Sequence, residues 1–103
     1  MGREFEWDKP KARANFGKHG VSFEFARRAF DDPFAITEQD RIEGNEMRWQ
    51  TLGMANGVIL LLVAHTIIEW DDDVEIIRII SARRAKPNEK RRYEQDRQNI
   101  LRH

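Results

Sequence analysis

The chain contains no cysteine, which excludes a disulfide framework and thiolate chemistry. Its longest apolar run, residues 58–68, is shorter than the roughly 18 residues that a membrane-spanning helix needs. The N-terminus is charged and aromatic from Arg3 onward and has no signal-peptide pattern. These absences predict a cytoplasmic protein of the reducing compartment with no membrane association.

Net charge is also lacking, because 18 basic residues balance 18 acidic ones. The charges are nevertheless separated along the chain. Segments 31–48 and 69–75 are mainly acidic, whereas the stretch from Arg83 to the end is mainly basic. A basic tail can meet a polyanion or an acidic protein, and the alternative is a solvated helix face.

With 103 residues, 40% of them hydrophobic, the chain can form one small core. We therefore expect a single domain over residues 1–103. Three runs rich in β-branched and aliphatic residues, 47–52, 58–68 and 74–81, predict antiparallel strands. Asn56-Gly57 is a strong type I′ hairpin signal, and Asp71-Asp72 is a weaker candidate for the next turn.

Two-residue turns at these positions would fix the strand register. Arg48 would then lie opposite His65, and His65 opposite Arg78, so that the three side chains form one row on one face. A slip of one residue in either turn would break this row. The other face would be the core, formed by Trp49, Leu60, Leu62, Ala64, Ile77 and Ile79.

The remaining segments predict a short first strand at residues 5–7, helices at 9–18 and 23–30, a strand at 34–41 and a last helix from Pro87. Asp8 and Ser22 are suitable N-caps, and Gly20 suits the left-handed C-cap position. The predicted class is α+β: a short N-terminal strand, two helices, an antiparallel sheet of about four strands and a C-terminal helix.

Several motifs together resemble one protein family, the BrnT toxins. They are Phe5-Glu6-Trp7-Asp8, Asn15 with Lys18-His19-Gly20-Val21-Ser22-Phe23, Phe30 with Asp32-Pro33, Glu46-x-Arg48 with Gly53, His65-Thr66, and Arg78-Ile79-Ile80-Ser81-Ala82-Arg83. The family often has a threonine cap before its last helix, where this chain has Lys86, a poor cap.

The resemblance implies a bacterial type II toxin with a RelE-like fold and an endoribonuclease activity that blocks translation. It also implies a hetero-oligomer with a BrnA-like ribbon-helix-helix antitoxin, and contact with operator DNA only through that antitoxin. The substrate would be RNA.

Metal-free RNA cleavage needs a base for the 2′-hydroxyl and cations for the phosphate. We predict Arg48 and Arg78 as phosphate clamps, and His65 or Glu46 as the base. Further RNA contacts are predicted for Lys18, His19, Arg83 and Tyr93. No cofactor or metal is expected, since His19, His65 and His103 are far apart in sequence.

Each of these roles has a structural alternative. Arg48 and Arg78 could form ion pairs with Asp40, Glu46 or Glu75, His65 and Tyr93 could be packing residues, and His19 could end a helix. An alternative function is a non-catalytic module that docks a partner protein on an apolar sheet face. That face would combine the arginines with Ile59, Leu61, Val63, Ile76 and Ile80.

Overall fold

The computed structural model describes residues 2–69 and 73–102. It confirms the α+β class. The elements, in chain order, are β1 (Gly2–Glu6), α1 (Lys9–His19), α2 (Phe23–Ala26), a 3₁₀ segment (Arg27–Asp31), β2 (Ile36–Glu43), β3 (Glu46–Ala55), β4 (Ile59–Glu69), β5 (Val74–Arg84) and α3 (Pro87–Leu101). Of the described helices, none is both long and apolar enough to cross a membrane.

The five strands form one mixed sheet in the order β1-β5-β4-β3-β2. The last four strands of the chain, β2 to β5, pair with one another in the antiparallel arrangement that the sequence predicts. β1 instead pairs in parallel with β5, from Gly2 beside Val74 to Glu6 beside Arg78. The sheet therefore has one more strand than the antiparallel set that the sequence indicates.

The predicted helix ends are well supported by local hydrogen bonds. Asp8 accepts a hydrogen bond from the backbone N–H of Lys11, at 3.0 Å, and Ser22 accepts one from Phe25, at 3.0 Å. Gly20 ends α1 in the left-handed region, with φ of 70°. At α3 the lysine side chain of Lys86 makes no cap. Glu89 compensates by accepting the Lys86 backbone N–H at 2.8 Å.

The predicted strand register is wrong by one residue on each side of β4. Asn56 and Gly57 do adopt positive φ, but the loop also includes Val58, so that Ala55 lies opposite Ile59. Between β4 and β5 a bulge at Ile80 separates the pairs Ala64–Ser81 and His65–Ile79. The predicted turn at Asp71-Asp72 lies outside the described residues.

The corrected register assigns alternate residues of the strands to two faces. The two-helix face, which includes Leu61, Val63 and His65, is covered by α1, α2 and the 3₁₀ segment. The α3 face, which includes Leu60, Leu62 and Thr66, is covered only in part, by α3 on β3. The predicted core set is therefore divided: Trp49, Ile77 and Ile79 lie on the two-helix face, and Leu60, Leu62 and Ala64 lie on the α3 face.

The main core fills the two-helix face. Phe23, Leu61, Val63 and Ile77 are almost completely buried there. This burial corrects the prediction that Leu61 and Val63 share an exposed face with the arginines.

Two polar or small residues let the helical layer approach the sheet. The Asn15 amide of α1 bonds the backbone N–H and carbonyl of Ala82 at 3.1 and 2.9 Å and the Val21 carbonyl at 3.0 Å. Gly53 of β3 lies against the 3₁₀ segment, where an added Cβ would be 2.3 Å from the carbonyl oxygen of Ala29. Asparagine and glycine at these positions are therefore required by packing.

Candidate functional site

Two arginines and a glutamate lie together at one end of the α3 face. Arg78 of β5 has Nη1 3.8 Å from Oε2 of Glu46 on β3, and Nε 3.8 Å from Oε2 of Glu6 on β1. Arg48 of β3 has Nη2 3.5 Å from Oε2 of Glu43 on β2. The residues of these ion pairs therefore come from β1 and β5 on one side of β4 and from β2 and β3 on the other.

Thr66 of β4 lies between the two arginines. It is directly opposite Arg78, and continuing the β3–β4 register one residue past Trp49–His65 brings it beside Arg48. The observed row is therefore Arg48, Thr66 and Arg78, with threonine in the position predicted for histidine. Two of its polar atoms, Arg48 Nε and Thr66 Oγ1, are buried without a hydrogen-bond partner among the described residues.

The ion pair between Arg78 and Glu46 contributes little to stability. The Arg78 and Glu46 side chains are 44% and 47% exposed, and their charged atoms lie near the outer limit of an ion pair. Exposed pairs of this kind contribute about 0 to 1 kcal/mol. A phosphate group could replace the carboxylates at little cost, because the arginine fork pairs with two oxygens.

His65 lies on the opposite face and does not join the row. It is only 1% exposed, and its Nε2 is 2.8 Å from Thr51 Oγ1, which in turn is 2.8 Å from Thr37 Oγ1. The edge of its ring packs against Phe30, with ring centroids 5.0 Å apart. The register shift turns the residue into the core, so the geometry gives it no access to RNA.

Burial lowers the pKa of His65 from 6.5 to about 4, and the positive charge of Arg3 adds to the fall. A weaker interaction with the Thr66 backbone acts in the opposite direction, although Nδ1 has no partner at hydrogen-bond geometry. The imidazole is therefore neutral at pH 7. Its surroundings are those of the packing histidine that the sequence left as an alternative.

Lys18 and His19 are also separated from the arginines by the sheet. Both lie in the last turn of α1, which packs against β5 on the two-helix face. The Asn15 bonds to Ala82 hold that end of the helix beside the far end of β5 from Arg78. The turn therefore does not reach the arginine site.

Arg83 and Tyr93 lie on the α3 face, but both are occupied by partners within the chain. Arg83 forms a two-pronged pair with Glu89, at 2.9 and 3.0 Å, which raises the Arg83 pKa and lowers the Glu89 pKa. The Tyr93 hydroxyl donates to the Asp32 carboxylate at 2.5 Å. Burial is the larger cause, and this hydrogen bond the next, of a rise in the pKa of Tyr93 to about 12. These contacts anchor α3 to β5 and to the loop that follows the 3₁₀ segment.

Some residues of the site were not predicted as such. A three-residue loop at Asn56 would have predicted Thr66, in place of His65, beside Arg48. No residue near this turn indicates that loop length. Glu6 reaches Arg78 through the parallel pairing of β1, which no nearby residue indicates. Glu43 lies beyond the strand predicted at residues 34–41, and in the structure it ends β2 beside Arg48.

α3 adds a basic surface on the same side of the sheet. Arg92 pairs with Glu38 at 2.5 Å, and the Arg97 guanidinium lies over the Phe34 ring, 5.0 Å from its centroid. The other basic residues of this helix that are exposed are Lys90 and Arg91. Cations on the same side of the sheet as the arginine row favour a polyanionic ligand.

Comparison with known proteins identifies the family of the chain. Residues 7–89 match the profile of a family described as "Ribonuclease toxin, BrnT, of type II toxin-antitoxin system". The chain belongs to the BrnT family. No protein of curated function matches it. The BrnT family is one of ribonuclease toxins, and a toxin of a type II system has an antitoxin as its partner.

A solved BrnT structure has a similar fold. The 1.1 Å crystal structure of the Brucella abortus ribonuclease toxin BrnT aligns with a TM-score of 0.52 and 23% sequence identity. The alignment covers 84% of this chain and 99% of the Brucella protein. Among residues 2–69 and 73–102, no group of three or more histidine and acidic side chains could hold a metal ion.

Proposed function

We propose that this BrnT-family chain is an endoribonuclease that cleaves RNA without a metal at the row Arg48, Thr66 and Arg78. The supporting observation is that two arginines from separate strands flank one point of the α3 face, and that their ion pairs among the described residues are long, at 3.5 to 3.8 Å. RNA cleavage in the cytoplasm would inhibit translation.

Glu46 is the base that the geometry favours. Its carboxylate is 3.8 Å from Arg78 and about half exposed, so it can accept a proton from a ribose 2′-hydroxyl. The 2′-oxygen then forms a bond to phosphorus, and the bond from phosphorus to the 5′-oxygen breaks. Arg48 and Arg78 stabilise the negative charge that builds on the phosphate, and water protonates the leaving oxygen.

His65 has no part in this mechanism, because it is buried in the core with a pKa of about 4. Lys18 and His19 lie on the other side of the sheet and are not included either. The basic residues of α3 would hold the RNA backbone, and Arg83 would keep α3 in place through Glu89. Tyr93 would likewise hold α3 in place, through its hydrogen bond to Asp32.

The experiment is RNA cleavage by purified protein in the presence of EDTA. We expect cleavage by the natural chain, and a loss of about 10²-fold in Arg78→Ala, typical for removal of an electrostatic donor. Arg13→Ala is the matched control, since Arg13 is an exposed arginine of α1, away from the α3 face. Equal rates for the two variants would contradict the site, and dependence on added metal would contradict the mechanism.

We further propose that the antitoxin is a BrnA-type ribbon-helix-helix protein that forms a hetero-oligomer with this chain and alone contacts operator DNA. The α3 face, with its partial cover, is the surface that an antitoxin would need to shield. The alternative, a non-catalytic binding module, would inhibit growth by occupancy. Growth inhibition that persists in Arg78→Ala without RNA cleavage would favour that alternative.

A further inference from the structure

Three buried side-chain atoms have no hydrogen-bond partner within the described residues: Arg48 Nε, Thr66 Oγ1 and His65 Nδ1. Folded proteins seldom leave such atoms unpaired, because an unpaired buried polar group costs free energy. Two of the three belong to neighbouring residues of the arginine row on the α3 face. Their coincidence there indicates a contact that forms only in another state of the site.

The two atoms are chemically complementary. Arg48 Nε–H is a donor, and the Thr66 hydroxyl oxygen is an acceptor. The residues occupy adjacent strands at the same level of the sheet. In the structure, the Arg48 guanidinium is drawn toward Glu43, whose Oε2 lies 3.5 Å from Nη2. This ion pair directs the guanidinium toward β2, and Arg48 Nε makes no hydrogen bond with the Thr66 hydroxyl.

We propose that Thr66 is a positioning residue for Arg48. When an RNA phosphate replaces Glu43 as the partner of Arg48, the guanidinium turns and Nε–H donates to Thr66 Oγ1. Nη1 and Nη2 are then held as a fork toward two phosphate oxygens. This inference rests on the proposed function and adds to it the residue that sets the geometry of the clamp.

Thr66 acts through the arginine because it cannot reach the substrate. The residue is only 4% exposed, and its hydroxyl oxygen is inaccessible to solvent. The guanidinium of Arg48, whose side chain is 23% exposed, is the part that meets RNA. A threonine at this position therefore contributes orientation, and its removal should weaken binding of the phosphate without opening the fold.

The test compares Thr66→Val with Thr66→Ser. The probe is a short RNA with all 2′-hydroxyls methylated, which binds but cannot be cleaved. We expect Thr66→Val to bind about 10-fold more weakly, the effect of losing one hydrogen bond to a charged group. Thr66→Ser should bind within about threefold of the natural chain, because serine keeps the hydroxyl. The thermal midpoint of Thr66→Val should not fall, because valine replaces an unpaired buried hydroxyl.

Double variants identify the arginine through which Thr66 acts. Lysine lacks Nε, so in Arg48→Lys the change Thr66→Val should have no further effect on binding. In Arg78→Lys the same change should still weaken binding about 10-fold.

The inference would be overturned, with the arginine site left intact, if Thr66→Val bound the RNA probe as tightly as the natural chain. The same holds if Thr66→Val weakened binding about 10-fold in the Arg48→Lys background as well. A loss that follows the unfolded fraction by circular dichroism would also overturn it. Failure of the natural chain to bind RNA would overturn both the inference and the proposed function.

Discussion

The two faces of the sheet use the same strands for different purposes. On the two-helix face, Leu61, Val63 and Ile77 pack tightly under α1, α2 and the 3₁₀ segment. On the α3 face, an apolar cluster surrounds Leu52, Leu60 and Tyr93, and the other end carries Arg48 and Arg78. The arginines thus lie on the less covered face of the sheet, and most of the buried core lies on the opposite face.

The sharpest way to break the two-helix face is Gly53→Ala. The new methyl group would lie 2.3 Å from the Ala29 carbonyl oxygen, so the 3₁₀ segment or β3 must shift. We expect the free energy of unfolding to fall by about 3 kcal/mol, the upper range for overpacking.

Gly17→Ala is the matched control for this change. Gly17 lies within α1, and an added Cβ there meets no atom within 4 Å. Alanine should therefore stabilise the protein by about 0.5 to 1 kcal/mol. Urea unfolding of both variants measures the contrast, and equal effects would show that Gly53 is not a close-packed position.

His65 allows the same face to be tested by pH. Its folded pKa of about 4 lies below the ordinary value of 6.5, so the unfolded chain binds the proton first. Stability is therefore lost as pH falls from 6.5 to 4, by about 3 kcal/mol in total. His65→Gln should remove this part of the pH dependence.

His19→Gln is the control, because His19 lies at the end of α1 away from the core. It should retain the loss of stability between pH 6.5 and 4. Urea unfolding at several pH values provides the measurement, and NMR titration of the His65 ring reports the pKa directly. An ordinary ring pKa would contradict the buried position.

A smaller effect is expected for the attachment of α3. Glu89→Gln removes the two-pronged pair with Arg83 and weakens the bond to the Lys86 backbone. We expect the free energy of unfolding to fall by about 1 to 2 kcal/mol, as for the loss of a well-aligned, partly buried ion pair. Amide hydrogen exchange should rise in α3 and remain unchanged in α1. A uniform rise across both helices would show that the two faces unfold as one unit.

Much of the fold can be predicted from local chemistry. Asp8, Ser22 and Gly20 mark helix ends, and β-branched runs mark strands, because these signals act within a few residues. The bulge at Ile80 and the third loop residue, Val58, depend on how whole strands twist and pack. Sequence patterns do not carry that information.

The candidate site shows the consequence of this limit. Arg48, Arg78 and Glu46 were predicted correctly as neighbours on one face, whereas His65 was assigned to that face by counting from a two-residue turn. One additional residue in the loop exchanges His65 for Thr66 in the row. A residue's chemistry can be recognised from its type, but its face depends on register.

The parallel pairing of β1 with β5 affects when the sheet is complete during synthesis. Gly2 pairs with Val74, and Glu6 lies beside Arg78, so β1 must wait for a strand more than 70 residues later in the chain. Closing such a long loop is slow compared with forming a hairpin. In a nascent chain, the edge strand β1 and the ion pair between Glu6 and Arg78 therefore cannot form until β5 has emerged from the ribosome.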